Sequence, residues 1–308
     1  MAKISLIIPY FNEEDSIHKT LENIESQELP PNEIIFVSSS SSDATFEIIE
    51  NWVKSRPKKL SKNYLNINSI STTPSSSKNI GIRKSSNEWL AFMDCGLDFK
   101  SSWLKDQMKS VEKYNINFIS GVCELNGASG FDSCAVAHTY GIGKRRICVP
   151  GSLINKSIFR KVGLFEENMR AGYDRIWQTK IKKEKIKRYL PEKHNVSYLG
   201  INYASNYRHL IKKAFLYSSA YSVRTANKVV IVYCLAPLFL AYLLLYYNLT
   251  FQLILLVYIV IRGYFLPFFK SMNKSKIKNV KCLIQLPIIA SVYDLTRFFG
   301  FVFGLIKN

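Results

Sequence analysis

Ile4-Ser-Leu-Ile-Ile-Pro-Tyr-Phe-Asn-Glu-Glu-Asp15 is a short apolar run closed by Pro9, followed by an acidic turn. A helical pattern carried by Ile17, Leu21 and Ile24 comes next, and Pro30 and Pro31 end it because proline lacks an amide donor. Outward from there the order repeats. Glu33 to Val37 is a second apolar run that stops in serines and Asp43, after which Phe46, Ile49 and Trp52 carry another helix. Leu65 to Ile70 gives a third strand, Ser75 to Lys84 a helix, and Trp89 to Met93 a buried strand ending at Asp94. This alternation predicts an α/β fold with a mostly parallel sheet covered by helices. Ligands of such sheets bind beyond the carboxyl ends of the strands. Pro9 to Asn12, Ser38 to Asp43 and Asp94 to Asp98 all lie at those ends, so three loops converge on one crevice.

Hydropathy divides the chain. Residues 1–227 mix apolar and charged side chains as a globular domain does, whereas 228–308 are dominated by Leu, Ile, Val, Phe and Tyr. Val229 to Tyr247 and Leu249 to Phe269 are two long apolar stretches, the second interrupted by Gln252 and Arg262. About 20 residues cross a ~30 Å hydrocarbon core, so a helical hairpin over about 229–269 is expected, turning at Asn248. The basic loop Lys270 to Lys281 assigns itself, and with it the N-terminal domain, to the cytosolic side of an inner membrane. A third apolar stretch, about 283–306, either spans or lies in the interface. It carries Asp294 and Arg297 three residues apart, close enough on a helix to neutralise each other.

The 42 Lys and Arg against 23 Asp and Glu give a formal charge of +19, which suits a polyanionic partner. Beside a membrane segment that partner is read as lipid headgroups rather than nucleic acid. The basic run Lys180, Lys182, Lys183, Lys185, Lys187 and Arg188 is read the same way. Six scattered cysteines without a C-x-x-C pair point to no zinc or dithiol motif, and the short N-terminal apolar run is unlike a signal peptide.

Four motifs in order resemble the family 2 inverting glycosyltransferases of the GT-A fold, over about residues 3–200. Ile7 to Glu13 looks like the opening strand and loop that meet the nucleotide base and ribose, through Pro9, Tyr10, Asn12 and Glu13. Ser76-Ser-Lys-Asn79 followed by Gly81 looks like the helix whose basic residue approaches the phosphates, here Lys78 beside Asn79. Phe92-Met-Asp94 looks like the metal-binding strand end, which implies Mg²⁺ or Mn²⁺ at Asp94. Pro150 to Phe165, then Ala171-Gly-Tyr-Asp174, look like the acceptor-side segment and the acidic pair, which implies Asp174 as general base.

The departures are specific. Ser38 and Ser39 stand where the family has two aspartates, leaving Asp43 as the matching acid of that loop. Cys95 and Gly96 follow Asp94 in place of an Asp-x-Asp, with Asp98 read as a solvated loop residue. Tyr173 replaces the usual glutamate. Arg145 and Arg146, after Gly141-Ile-Gly-Lys144, have two readings: closure over a diphosphate, or a basic loop facing lipid. His138 receives no role.

The resemblance implies a nucleotide-sugar donor, a lipid-linked or membrane-associated glycan acceptor and transfer of a single sugar with inversion. No Gln-x-x-Arg-Trp motif of a processive synthase follows Asp174. The rival reading is a catalytically degenerate, membrane-bound binding or scaffold protein.

Overall fold

The opening run forms β1 (Ile4–Tyr10), buried along its whole length. Successive side chains of a strand point to opposite faces. Ile4, Leu6 and Ile8 pack with Leu21, Ile24 and Trp103 on one side, and Ile7 joins Phe92, Phe159 and Trp177 on the other. Burial on both faces is what a parallel strand beneath helices requires. Our computed structural model describes residues 2–56, 63–69, 73–193, 196–197, 203–222, 239 and 241–306.

After β1 come α1 (Ile17–Glu25), β2 (Glu33–Ser39), α2 (Thr45–Lys54), β3 (Tyr64–Ser69), α3 (Pro74–Lys84) and β4 (Trp89–Phe92). These strands pair in parallel in the order β3-β2-β1-β4, with Ser5 opposite both Glu33 and Leu90. The expected strands and helices of this half are all present. Helix α3 lies so close to β1 that a Cβ on Gly81 would come within 2.4 Å of Ile7 Cγ2, so a larger residue there requires the Ile7 side chain to shift.

The second half of the sheet breaks the parallel pattern. It contains β5 (Asp98–Phe99), α4 (Trp103–Tyr114), β6 (Phe118–Glu124), α5 (Gly130–Thr139), β7 (Arg146–Asn155), α6 (Lys156–Val162), α7 (Tyr173–Lys183) and β8 (Val196–Ser197). β7 runs antiparallel to β4 and β6 antiparallel to β7, giving the eight-stranded order β3-β2-β1-β4-β7-β6-β8-β5.

The chain divides into two compact units, Met1–Glu124 with Arg145–Tyr198, and Leu125–Lys144 with Leu199–Asn308. The boundary expected at 227/228 marks a change of composition, whereas compactness follows these other bounds. The excursion between β6 and β7, which contains α5, belongs to the second unit.

That unit also holds α8 (Tyr207–Ser222), α9 (Asn248–Tyr258), a π-helical stretch Ile259–Phe265 leading into α10 (Leu266–Lys270), and α11 (Val280–Ile306). Of the expected first hairpin arm, residues 229–238 and 240 lie outside the described residues, and 241–246 are helical. Among the described residues, Asn248–Lys270 and Val280–Ile306 are long and apolar enough to cross a membrane, by length and composition. At 1.5 Å per residue they measure about 35 and 40 Å. Asp294, expected to be neutralised by Arg297 one turn on, is met by Arg262 of the preceding helical run at 2.6 Å. A neighbouring helix presents a guanidinium to both carboxylate oxygens.

Candidate active site

The carboxyl ends of β1, β2 and β4 carry the three loops that the sequence brought together. The β1 loop is fixed by its own polar atoms. Asn12, at a positive φ of 52°, donates its N–H to Ser41 Oγ at 3.1 Å and accepts from the Ser42 N–H at 2.9 Å. Glu13 N–H donates to Thr45 Oγ1 at 2.9 Å.

Asp43 locks this loop to the start of α2. Its Oδ2 accepts from the Glu14 N–H and its Oδ1 from the Thr45 hydroxyl, at 3.0 and 2.7 Å. Burial pushes the Asp43 carboxyl up, but these hydrogen bonds outweigh it and hold the group below its ordinary value. Asp43 therefore shapes the crevice by bracing its loop.

Ser38 and Ser39 are likewise committed to the fold. Ser38 Oγ accepts from the Ser41 N–H at 3.0 Å, and Ser39 Oγ lies 2.7 Å from Ser77 Oγ. Tyr10 donates to Asn66 Oδ1 at 2.9 Å. Glu13 is pushed up by burial, against a hydrogen bond from Ser16 and with help from the nearby Asp94 and Asp43.

Helix α3 supplies the cation. Lys78 is 1% exposed and its Nζ donates to Asp94 Oδ1 at 2.8 Å. Burial alone would lower its pKa, but Asp94, with Tyr173 behind it, holds the ammonium above the usual lysine value, so it stays charged. The Tyr173 ring lies 5.6 Å from Nζ, and burial raises its phenol. Tyr173 thus lies within electrostatic reach of Lys78, of Asp94 and of its neighbour Asp174.

Asp174 stands in the first turn of α7, where the helix dipole favours an acid. Its Oδ1 accepts from the Arg175 N–H at 2.8 Å. Trp177, one turn further, is fully buried against Phe159 and Phe165 and donates to Gly163 O at 2.9 Å. An aromatic wedge therefore sets the direction of α7.

Asn79, expected beside the donor, grips the protein instead. Its Nδ2 donates to Phe165 O at 2.9 Å and its Oδ1 accepts from the Phe165 N–H at 3.1 Å. Ser76 and Ser75 accept from the N–H groups of Asn168 and Met169, each at 3.1 Å. Sequence reasoning missed these staples between α3 and the segment ahead of Asp174. The signal was the run of buried polar residues Ser75 to Asn79, which a helix keeps only where each finds a partner.

Asp98 pairs with Lys19 at 3.2 Å. Arg145 donates to Pro191 O, and Arg146 lies on β7 opposite Cys123. Gly141 serves packing: a Cβ there would come within 2.4 Å of Lys270 O, inside the second unit. The stretch 141–146 is divided between the two units, Gly141 to Lys144 falling in the second and Arg145 and Arg146 in the first.

A divalent ion here has one carboxylate to bind. Among the described residues no three His, Cys, Asp or Glu side chains gather as a cage. Asp94, with Lys78 on one oxygen, fits an ion such as Mg²⁺ that takes one or two carboxylates and draws its other ligands from substrate phosphates and water.

The family model "Glycosyl transferase family 2" matches residues 5–134, the segment holding all three loops and Lys78. Over these residues the chain is similar to glycosyltransferase family 2. Among curated relatives, "Glycosyltransferase AglE" of Haloferax volcanii is 26% identical over 188 residues, covering 56% of this chain and 59% of that protein. The "GalNAc(5)-diNAcBac-PP-undecaprenol beta-1,3-glucosyltransferase" of Campylobacter jejuni is 31% identical over 128 residues, covering 41% of this chain and 40% of that protein. The chain thus spans about half the length of these curated relatives. Among solved structures, the mannosyltransferase PcManGT of Pyrobaculum calidifontis, in complex with GDP-Man and Mn²⁺, matches with a TM-score of 0.58 at 15% identity. It covers 96% of this chain and 87% of that one, a likeness of fold.

Proposed function

We propose that the protein is a glycosyltransferase that moves one sugar from a nucleoside-diphosphate donor to a membrane-associated, lipid-linked glycan acceptor, with inversion. One observation carries this reading: a buried, charged Lys78 joined to Asp94 at the end of β4, with Tyr173, the residue before Asp174, beside its ammonium. An ammonium kept dry and ionised attracts a diphosphate far more strongly than a solvated one.

In this reading the β1 loop and the end of β2 hold the nucleoside, and Lys78 binds the diphosphate and stabilises the charge it gains on departure. Asp174 accepts the proton of the acceptor hydroxyl as that oxygen attacks C1 from the face opposite the leaving group, which inverts the configuration. A divalent ion at Asp94, when bound, adds charge neutralisation at the same phosphates. Arg146 is kept in this reading as a further cation for the diphosphate, while Arg145 donates to Pro191 O.

Residues 228–308 hold the chain in an inner membrane with the crevice on the cytosolic side. The exposed apolar side chains of α9 to α11, from Leu249 to Ile306, support this reading, as does the basic loop at 270–281. The lipid-linked glycan named for the Campylobacter relative agrees with such an acceptor.

The test is release of nucleotide and transfer of labelled sugar by membranes containing the full chain. Turnover of a nucleotide sugar that is lost in Asp174→Asn supports the enzyme. Donor binding without turnover in the wild type would favour the scaffold.

A further inference from the structure

The second unit contains a polar cluster that sugar transfer leaves unused. Arg262 lies in the π-helical stretch between α9 and α10, a form often found where a helix is adapted to a local task. Its Nε and Nη2 donate to the two oxygens of Asp294 on α11, at 2.6 and 2.9 Å, and the Tyr258 hydroxyl donates to the same carboxylate at 3.1 Å. The third nitrogen, Nη1, lies 2.9 Å from Nδ1 of His138 on α5, and His138 Nε2 lies 2.7 Å from Leu286 O on α11.

A guanidinium only donates and a carbonyl only accepts. Nδ1 is therefore the acceptor, Nε2 carries the proton, and the ring is a neutral bridge between two helical runs. Lys270 Nζ adds a bond to the His138 carbonyl at 3.2 Å.

Helix α5 is unusual in its burial. Residues 132 to 138 are buried consecutively, unlike the one-sided burial of a surface helix. Its one acidic side chain, Asp132, is fully buried and accepts from the N–H groups of Ala128 and Ala204, at 2.9 and 2.8 Å. Along their helices, Arg262 and Leu286 lie about 8 to 12 Å from the basic loop at 270–281. Where the loop marks the membrane surface, that is the depth of the headgroup and acyl boundary.

We propose that Arg262, held by Asp294, is a docking lock for α5. It fastens the excursion between β6 and β7, residues 125–144, onto the membrane helices, so that residues 1–198 are held at the bilayer non-covalently as well as through the chain bond at 198/199. The proposal rests on reading α9 to α11 as membrane helices. Arg262 acts through His138 and is a positioning residue.

The experiment inserts a specific protease site between residues 198 and 199 of the full chain and cleaves it in isolated membranes. Sedimentation follows at about 1 M salt, where a screening length of ~3 Å removes adhesion of surface lysines to lipid headgroups. Fragment 1–198 of the wild type is expected to remain in the pellet. Arg262→Leu is expected to raise the released fraction roughly tenfold, the effect of losing charge-assisted hydrogen bonds.

Uncleaved chains sediment in every case if the membrane reading holds, so failure of that reading is seen separately. His138→Leu keeps the Arg262–Asp294 pair and removes the bridge alone. It is expected to release the fragment as well, which guards against misfolding in Arg262→Leu. Release of the wild-type fragment to the same extent, or retention in both variants, overturns the proposal.

Discussion

Lys78 and Arg262 are cations withdrawn from water in different units, and their surroundings are finished differently. Arg262 meets both oxygens of Asp294, and Tyr258 and His138 complete the set. Lys78 meets one oxygen of an aspartate whose side chain is 36% exposed. A closed network of this kind stabilises an arrangement. An open one, with a dry cation and a carboxylate still reachable by solvent, is poised for a ligand that brings its own charges. The contrast teaches that burial of a charge alone does not separate architecture from chemistry, whereas the completeness of its partners does.

The largest expected effect lies at the open site. Asp174→Asn should lower sugar transfer by about 10²- to 10⁴-fold, the usual worth of a general base, while nucleotide affinity measured by calorimetry stays unchanged. Unaltered turnover would remove Asp174 from the chemistry.

At the closed site, Asp294→Leu strands Arg262 and should cost about 3 to 5 kcal/mol in thermal unfolding of the detergent-solubilised protein. Replacing both partners by methionine should be nearly neutral. A double variant as damaged as the single one would break the contrast from the architectural side.

The open pair should be lopsided. Asp94→Asn leaves a buried ammonium short of its counter-ion and should cost about 1.5 to 3 kcal/mol. Lys78→Met leaves an aspartate that water can reach and should cost under about 1 kcal/mol, yet it should abolish turnover. Equal losses of stability in the two variants would make Lys78 a structural residue. The smallest effect is that of Asn79→Ala, about 1 to 2 kcal/mol from the paired bonds to Phe165, with a raised KM as the segment before Asp174 loosens.

Much of the first half of the fold was legible because its signals are local. Apolar runs closed by Pro9, by the serines after Val37 and by Asp94 set the strand ends, and these ends set the crevice. The antiparallel half was not legible, since the pairing of β6 with β7 spans the whole α5 excursion and nothing in either run announces its partner. The same limit explains Asn79 and Asp43. Their motif positions are next to a donor site, but their hydrogen bonds go to Phe165 and to the Glu14 and Thr45 loop, contacts between distant or folded-back segments. His138 carried no motif at all. Its partners, Arg262 and Leu286, lie more than a hundred residues away, and only the fold reveals a buried imidazole with both nitrogens engaged.

The most direct test of the central claim, that Lys78 and Asp94 form the floor on which a donor diphosphate rests, is nucleotide binding to the detergent-purified full chain. UDP, GDP, dTDP and CMP would be titrated with and without Mn²⁺ into the wild type, Lys78→Met and Asp94→Asn. One nucleoside diphosphate is expected to bind with Mn²⁺-dependent affinity, and both variants to weaken it by roughly tenfold or more, as loss of a charge-assisted contact implies. Binding of none of them, or unchanged affinity in Lys78→Met, would contradict it.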